Sequence, residues 1–387
     1  MGGCEARIAP AIVLTDAEAA GPMHPILIES TLPTPRGRPA RLAWPLLAAA
    51  ALLALPLAGV AGVAAPSTCK PVDPQPESMR KFHPGHYVTI GPGELRKGAS
   101  VASALGEGVA GVQLRYRWND LEPAQDGYTL QPIERDLAAA SRAGLQLIAV
   151  IVDKSFSGES PMPEYLQSGH TMRAKRGYTA VRWDPYVVER MGKLVARIGE
   201  AFDCHPNFEG IAFQETALSV EDDELREHGY SPEKYRDSLE QLLRSSVRSL
   251  PRSRVFWYMN FLPGKQEYLA AVAERVSGSG VVMGGPDILP DNQALVRRTY
   301  PLYERFSQRM KLFGSMQNDS YRHPRAARGR GDDDYWSMEE LFFFARDRLH
   351  VDYVFWEYRG KRRPADVRDW AEARDVIARH PDFGRSG

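Results

Sequence analysis

From residue 84 onward, short β-rich runs recur along the chain, and each closes on polar residues before a stretch of helical spacing. The runs fall at 86–90, 111–118, 145–152, 210–214, 255–260, 281–284, 312–317 and 353–358, and they read as strands. Between them, residues 133–143, 186–202, 232–250, 266–276, 292–310 and 336–349 place apolar side chains at helical spacing. The first of these stops at Gly144, a common helix terminator. Eight strand–helix units predict an α/β fold, a (β/α)8 barrel. A doubly wound sheet fits less well, because no Gly-rich phosphate loop follows any strand.

The N-terminal region breaks this rhythm. Residues 1–41 are rich in Pro and Ala and end in Arg36, Arg38 and Arg41; residues 42–65 then carry no charge. Arginines ahead of an apolar run mark export or membrane insertion, with the basic side in the cytoplasm. Gly62 and Ala64 suit a signal-peptide cleavage site, whereas about 20 apolar residues also suffice for a retained anchor. Cleavage is the preferred reading. Met23, if it is the true start, shortens the leader. Residues 66–83 read as a Pro-rich linker and 84–387 as the barrel domain. The protein is therefore expected in the periplasm, outside the cell, or anchored in the inner membrane and facing outward. There Cys69 and Cys204 could pair, although two free thiols fit the sequence as well.

Composition narrows the function. The 49 Lys+Arg balance 49 Asp+Glu, and zero net charge argues against a general nucleic-acid binder. A 43% hydrophobic content excludes a fully disordered chain. With 3 Cys, no CxxC and no His-x-x-x-His pair, no structural zinc site is expected, and no cofactor is implied.

In such a barrel, chemistry sits at the C-terminal ends of strands. On the second strand Gln113, Arg115 and Arg117 alternate with Val112, Leu114 and Tyr116, so the polar set shares one face. The arginines could anchor carboxylates or sugar hydroxyls, or form structural ion pairs.

Residues 112–130 read VQLRYRWNDLEPAQDGYTL, with W-x-x-L-E-P…G-Y after the second strand, and 208–219 read FEGIAFQETALS. These stretches resemble the (β/α)8 glycoside hydrolases of the large retaining clan. The resemblance spans roughly 84–360 and is sharp over 111–153 and 208–219. In that clan the fourth strand ends in Asn-Glu, and the Glu is the acid/base. The resemblance gives Glu215 that role, with Gln214 where Asn is usual. Closing an apolar strand, Glu215 reads as a lone, partly desolvated carboxylate suited to general acid work; an exposed Glu at a helix start is the plain alternative. The clan also places a Glu at the end of the seventh strand. Here Gln317, Asn318 and Asp319 stand there, without a Glu. Glu357, in the eighth-strand FWEY, is placed ahead of Asp319 as second catalytic carboxylate because a regular strand holds it. A buried pair of Glu357 with Arg115 or Arg117 is equally open. Asp287 and Asp153 are weaker candidates and are grouped with the substrate contacts.

The expected sugar-binding set is Arg115, Arg117, Trp118, Asp153, Gln214, Tyr258, Asn260, Asp287, Gln317, Asn318 and Trp356, with Trp257 alongside. Aromatic faces stack on sugar C–H faces, and amides bond hydroxyls. Two basic loops, 170–182 and 321–330, would suit an anionic polysaccharide unless their charges are paired internally. The expected function is an exported glycoside hydrolase. The alternative is a non-catalytic glycan-binding barrel that lost its seventh-strand Glu.

Overall fold

The computed structural model describes residues 69–70, 72–97, 105–156, 158–285, 287–325, 335–358 and 364–383. The expected leader and apolar run, 1–65, lie outside the described residues. Among the described residues no helix is long and apolar enough to cross a membrane.

Eight parallel strands close into a barrel in chain order. They are β1 Gly85–Ile90, β2 Val109–Arg117, β3 Gln146–Val152, β4 Phe208–Phe213, β5 Arg254–Tyr258, β6 Val281–Gly285, β7 Lys311–Met316 and β8 Tyr353–Glu357. Pairing of β1 with β8, from Gly85↔Tyr353 to Thr89↔Glu357, closes the ring. All eight expected runs are strands of this barrel. The helices include α1 Gln131–Arg142, α2 Pro185–Phe202, α3 Pro232–Ser249 and α4 Tyr268–Val276. Asp184 and Ser231 cap α2 and α3 through their side-chain oxygens, and a proline opens each helix. The stretch expected as one helix over 292–310 is two, Gln293–Arg298 and α5 Tyr300–Phe306. Pro301 explains the break, since proline lacks the N–H that would continue the ladder and restricts the residue before it.

Period-two alternation sorts the core into two layers. Tyr87, Ile148, Val150, Ala212, Phe256, Tyr258, Phe313, Tyr353 and Phe355 fill the barrel interior. Their neighbours Val88, Leu147, Ile211, Trp257, Leu312 and Trp356 point outward and pack with residues of the surrounding helices.

Residues 77–83, within the expected linker, lie on the N-terminal end of the barrel. The buried Arg80 guanidinium donates to the carbonyls of Leu250 at 2.6 Å and Ser253 at 2.9 Å. The Lys81 ammonium reaches the carbonyls of Asp203 and His205, each at 3.0 Å. Cys69 and Cys204 form a disulfide, which ties the start of this segment to the chain just past α2.

Candidate active site

The C-terminal mouth is organised around the junction of β3 and β4. The Gln214 side-chain oxygen accepts the backbone N–H groups of Asp153 at 2.9 Å and Lys154 at 2.7 Å. This contact fixes Lys154 beside Glu215. The fully buried Lys154 ammonium donates to Glu215 Oε1 at 3.0 Å, the Ala217 carbonyl at 2.7 Å and Ser219 Oγ at 3.3 Å. Three partners use its three protons. The second Glu215 oxygen, Oε2, accepts from Asn260 Nδ2 at 2.6 Å. Glu215 is therefore not the lone carboxylate that its position at a strand end suggested; a buried ammonium and an amide hold its two oxygens. Burial pulls the Lys154 pKa below its ordinary value, and the Glu215 charge works against that shift.

Three more carboxyl groups belong to this mouth. Asp287 follows β6, Asp319 follows β7, and Glu357 ends β8. Burial, together with the charges of Glu215, Asp319 and Glu357, pushes the Asp287 carboxyl up to about 7. On the floor, the Tyr258 hydroxyl donates to Gln113 Oε1 at 3.0 Å and lies 3.3 Å from Ser315 Oγ. Burial raises this phenol to about 12.

The Asp287 shift makes stability depend on pH. Unfolded, the carboxyl loses its proton near pH 4. Folded, it keeps the proton to about 7. The folded chain thus holds more protons across that window, and its stability falls as pH rises through it. Asp287→Asn removes the titration. Its stabilisation over wild type is expected to be small at pH 4 and to grow to at most about 4 kcal/mol by pH 8. Melting temperatures of both proteins across this range check it; an increment independent of pH would contradict the burial of a protonated Asp287.

The other expected site residues divide by which face of their strand they occupy. Asn260 and Tyr258 face the interior, as does Gln113. Arg115 is exposed at the mouth, where its charge acts on Tyr258. Arg117 lies further out, donating to the Ser160 carbonyl at 2.7 Å and facing Glu159 at 3.7 Å. Among the described residues no ion pair joins Glu357 to Arg115 or Arg117. Gln317 is half-buried, and Asn318 and Asp319 are exposed beyond β7.

Several expected sugar contacts are engaged elsewhere. Trp118 and Trp356 are fully buried in the outer layer, as is Trp257. The Trp118 indole donates to Glu122 at 2.9 Å and the Trp356 indole to His86 at 3.0 Å. Strand alternation turned Trp257 and Trp356 away from the cavity that Tyr258 and Asn260 face, and Trp118 opens a short helix after β2. Asp153 is taken up by Arg182 through two contacts of 2.7 Å. The Gln214 carbonyl is spent on backbone N–H groups rather than on a sugar hydroxyl. Several cations of the basic loops pair with acidic residues outside those loops, Lys175 with Glu221 at 3.5 Å, Arg182 with Asp153 at 2.7 Å, Arg322 with Asp369 at 2.9 Å and Arg325 with Glu340. Sequence reasoning assigned no role to Lys154. The available signal was a lysine closing the third strand, directly beside the strand that carries Glu215.

No protein-family model matches the chain, and no curated protein matches it. Solved structures do. GH5_18 from Streptomyces cattleya, in complex with Manb1-4GlcNAc, is similar at a TM-score of 0.52 and 16% identity, over 79% of this chain and 82% of that one. GH5_18 from Bifidobacterium longum subsp. longum, also in complex with Manb1-4GlcNAc, is similar at 0.52 and 13% identity, over 78% and 79%. At these identities the likeness is one of fold: the chain has the (β/α)8 barrel architecture of those proteins.

Proposed function

We propose that this protein is an exported glycoside hydrolase that cleaves a glycosidic bond with the carboxyl groups at its barrel mouth. The observation that carries the reading is Glu215, held at both oxygens beyond β4 and sharing the mouth with the carboxyl groups of Asp287, Asp319 and Glu357. Glycosidic hydrolysis needs this combination, one carboxyl group to protonate the leaving oxygen and one carboxylate to meet the positive charge at C1. Glu215 is the central carboxylate in this reading, with its partner among the other three. The likeness to GH5_18 proteins bound to Manb1-4GlcNAc supports a carbohydrate ligand. The carboxyl groups gathered at the mouth favour an uncharged glycan, since carboxylates repel a uronate. Export is supported by the arginines ahead of the apolar run and by the Cys69–Cys204 disulfide, a bond that persists in oxidising compartments.

Purified protein incubated with a panel of neutral and anionic polysaccharides, with reducing ends measured, tests this reading. New reducing ends are expected from a neutral glycan. Saturable binding without release from any of them would replace the hydrolase with a glycan-binding barrel.

A further inference from the structure

We propose that Phe156 is a stacking platform for an uncharged pyranose ring adjacent to the ring cleaved at Glu215, so that the substrate is an oligosaccharide or a longer chain. This inference rests on the hydrolase reading of the same mouth and names a residue to which sequence reasoning gave no role.

Phe156 follows Lys154 in the loop just beyond β3. The Lys154 ammonium lies 4.7 Å from the centre of the Phe156 ring and 3.0 Å from Glu215 Oε1. Those two contacts keep the ring within a disaccharide's length of the carboxylate. Lys154 is fully buried, and one face of the ring covers it. Yet Phe156 is 55% exposed, and among the described residues it is the exposed phenylalanine. The face turned away from Lys154 is open to solvent. Single exposed apolar side chains are ordinary on a surface. What sets this one apart is its place beside Glu215 and the way it is held there.

The backbone leading to Phe156 is fixed from two sides. The Lys154 N–H donates to Gln214 at 2.7 Å. The Ser155 N–H donates to the Tyr178 carbonyl at 2.8 Å, and the Tyr178 N–H to Ser155 Oγ at 3.1 Å. Tyr178 opens the second strand of an antiparallel hairpin, Thr171–Arg173 with Tyr178–Ala180. Gly177 lets that hairpin lie so close, since a Cβ there would collide with the Ser155 carbonyl. A ring held in place before binding loses little freedom when a sugar lands on it.

The chemistry of the platform selects its ligand. A pyranose with mostly equatorial hydroxyls turns its axial C–H groups to its faces, and covering an aromatic face with them removes both from water. Trp118, Trp257 and Trp356 are buried in the outer layer, and Tyr258 is buried on the floor, so none of them offers such a face to solvent. The nearby cation, Lys154, spends its protons on Glu215, Ala217 and Ser219, which leaves no donor for a uronate or sulfate on this ring. The neighbouring ring belongs beside Glu215. There the Asn260 side-chain oxygen is buried without a donor among the described residues, and a sugar hydroxyl supplies one.

The test compares full-length wild type with Phe156→Ala, Phe156→Leu and Phe156→Trp. Leucine still covers Lys154 but has no flat face, whereas tryptophan keeps one. The probes are the dimer-to-hexamer series of the neutral glycan that is cleaved, and the glycosyl fluoride of its single sugar, which fills one ring site. In Phe156→Ala and Phe156→Leu, KM for the oligosaccharides is expected to rise on the order of tenfold with kcat nearly kept. The ratio of kcat/KM on the hexamer to that on the fluoride should fall by a similar factor, and Phe156→Trp should restore it. An unchanged ratio, or full recovery with leucine, would make Phe156 a cover for Lys154 alone and overturn the platform. Calorimetric titration with the hexamer gives a readout without turnover, and the Kd is expected to rise about tenfold in Phe156→Ala and Phe156→Leu. Equal affinity in wild type and all three variants would overturn the platform. Binding that Phe156→Ala weakens, with no probe cleaved by wild type, would overturn the hydrolase reading and support the platform. Wild type that neither binds nor cleaves any probe would overturn both.

Discussion

Glu215→Gln is expected to lower kcat/KM on the cleaved glycan by on the order of 10³-fold and also to lower the melting temperature. Glutamine keeps the shape of the side chain but brings no negative charge to C1. The same change removes the counter-ion of Lys154, whose ammonium is fully buried. The Ala217 carbonyl and Ser219 hydroxyl still accept from it, so the loss is one charge-assisted hydrogen bond rather than the whole shell. That contact corresponds to about 1.5–3 kcal/mol. Adding Lys154→Met to Glu215→Gln removes the stranded charge, and the double variant is expected to regain stability without regaining turnover. Thermal melts and turnover on the single and double variants separate the two effects. Recovery of activity in the double variant would show that Glu215 acts only as a partner for Lys154.

The fold was legible because each barrel strand is a short β-rich run with polar residues at its end. The strand ends also offered Glu215, Glu357 and Asp319 as candidate carboxyl groups, with Asp287 as a weaker one. Which face a strand-end residue occupies was harder to read. In 255–260 the aromatics Trp257 and Tyr258 are adjacent, and composition treats them alike. Register places Tyr258 and Asn260 inside and Trp257 outside. The same parity that makes Glu357 a mouth residue sends Trp356 into the outer layer. Ion-pair partners were illegible for a different reason. Lys154 meets Glu215 across 61 residues of sequence, and Arg182 meets Asp153 across 29. Only the closed barrel brings those positions together.

The largest stability effect is expected at Glu122, the acidic residue of the W-x-x-L-E-P…G-Y stretch. Its carboxylate is fully buried. One oxygen accepts the Trp118 indole N–H at 2.9 Å, and the other accepts the Asp126 backbone N–H at 3.1 Å and the Arg190 guanidinium. Arg190 projects from α2, is itself fully buried, and also donates to Asp126 Oδ1 at 2.8 Å and the Tyr165 hydroxyl at 3.1 Å. The Tyr128 hydroxyl lies 3.4 Å from the same guanidinium. The stretch that most resembles a glycosidase is thus a clamp between the loop after β2 and α2, not a set of sugar contacts. Glu122→Ala would leave a buried guanidinium short of its main counter-charge, at a cost of about 3–5 kcal/mol. For a domain of this size that is a fall in melting temperature on the order of 10 °C. Glu122→Leu combined with Arg190→Met, which removes both charges and keeps apolar volume, should recover much of the loss. Well below the melting temperature, the single variant should turn over substrate within a few-fold of wild type, because none of these groups faces the mouth. A variant of normal stability that has lost its activity would instead place Glu122 in the reaction and overturn the clamp.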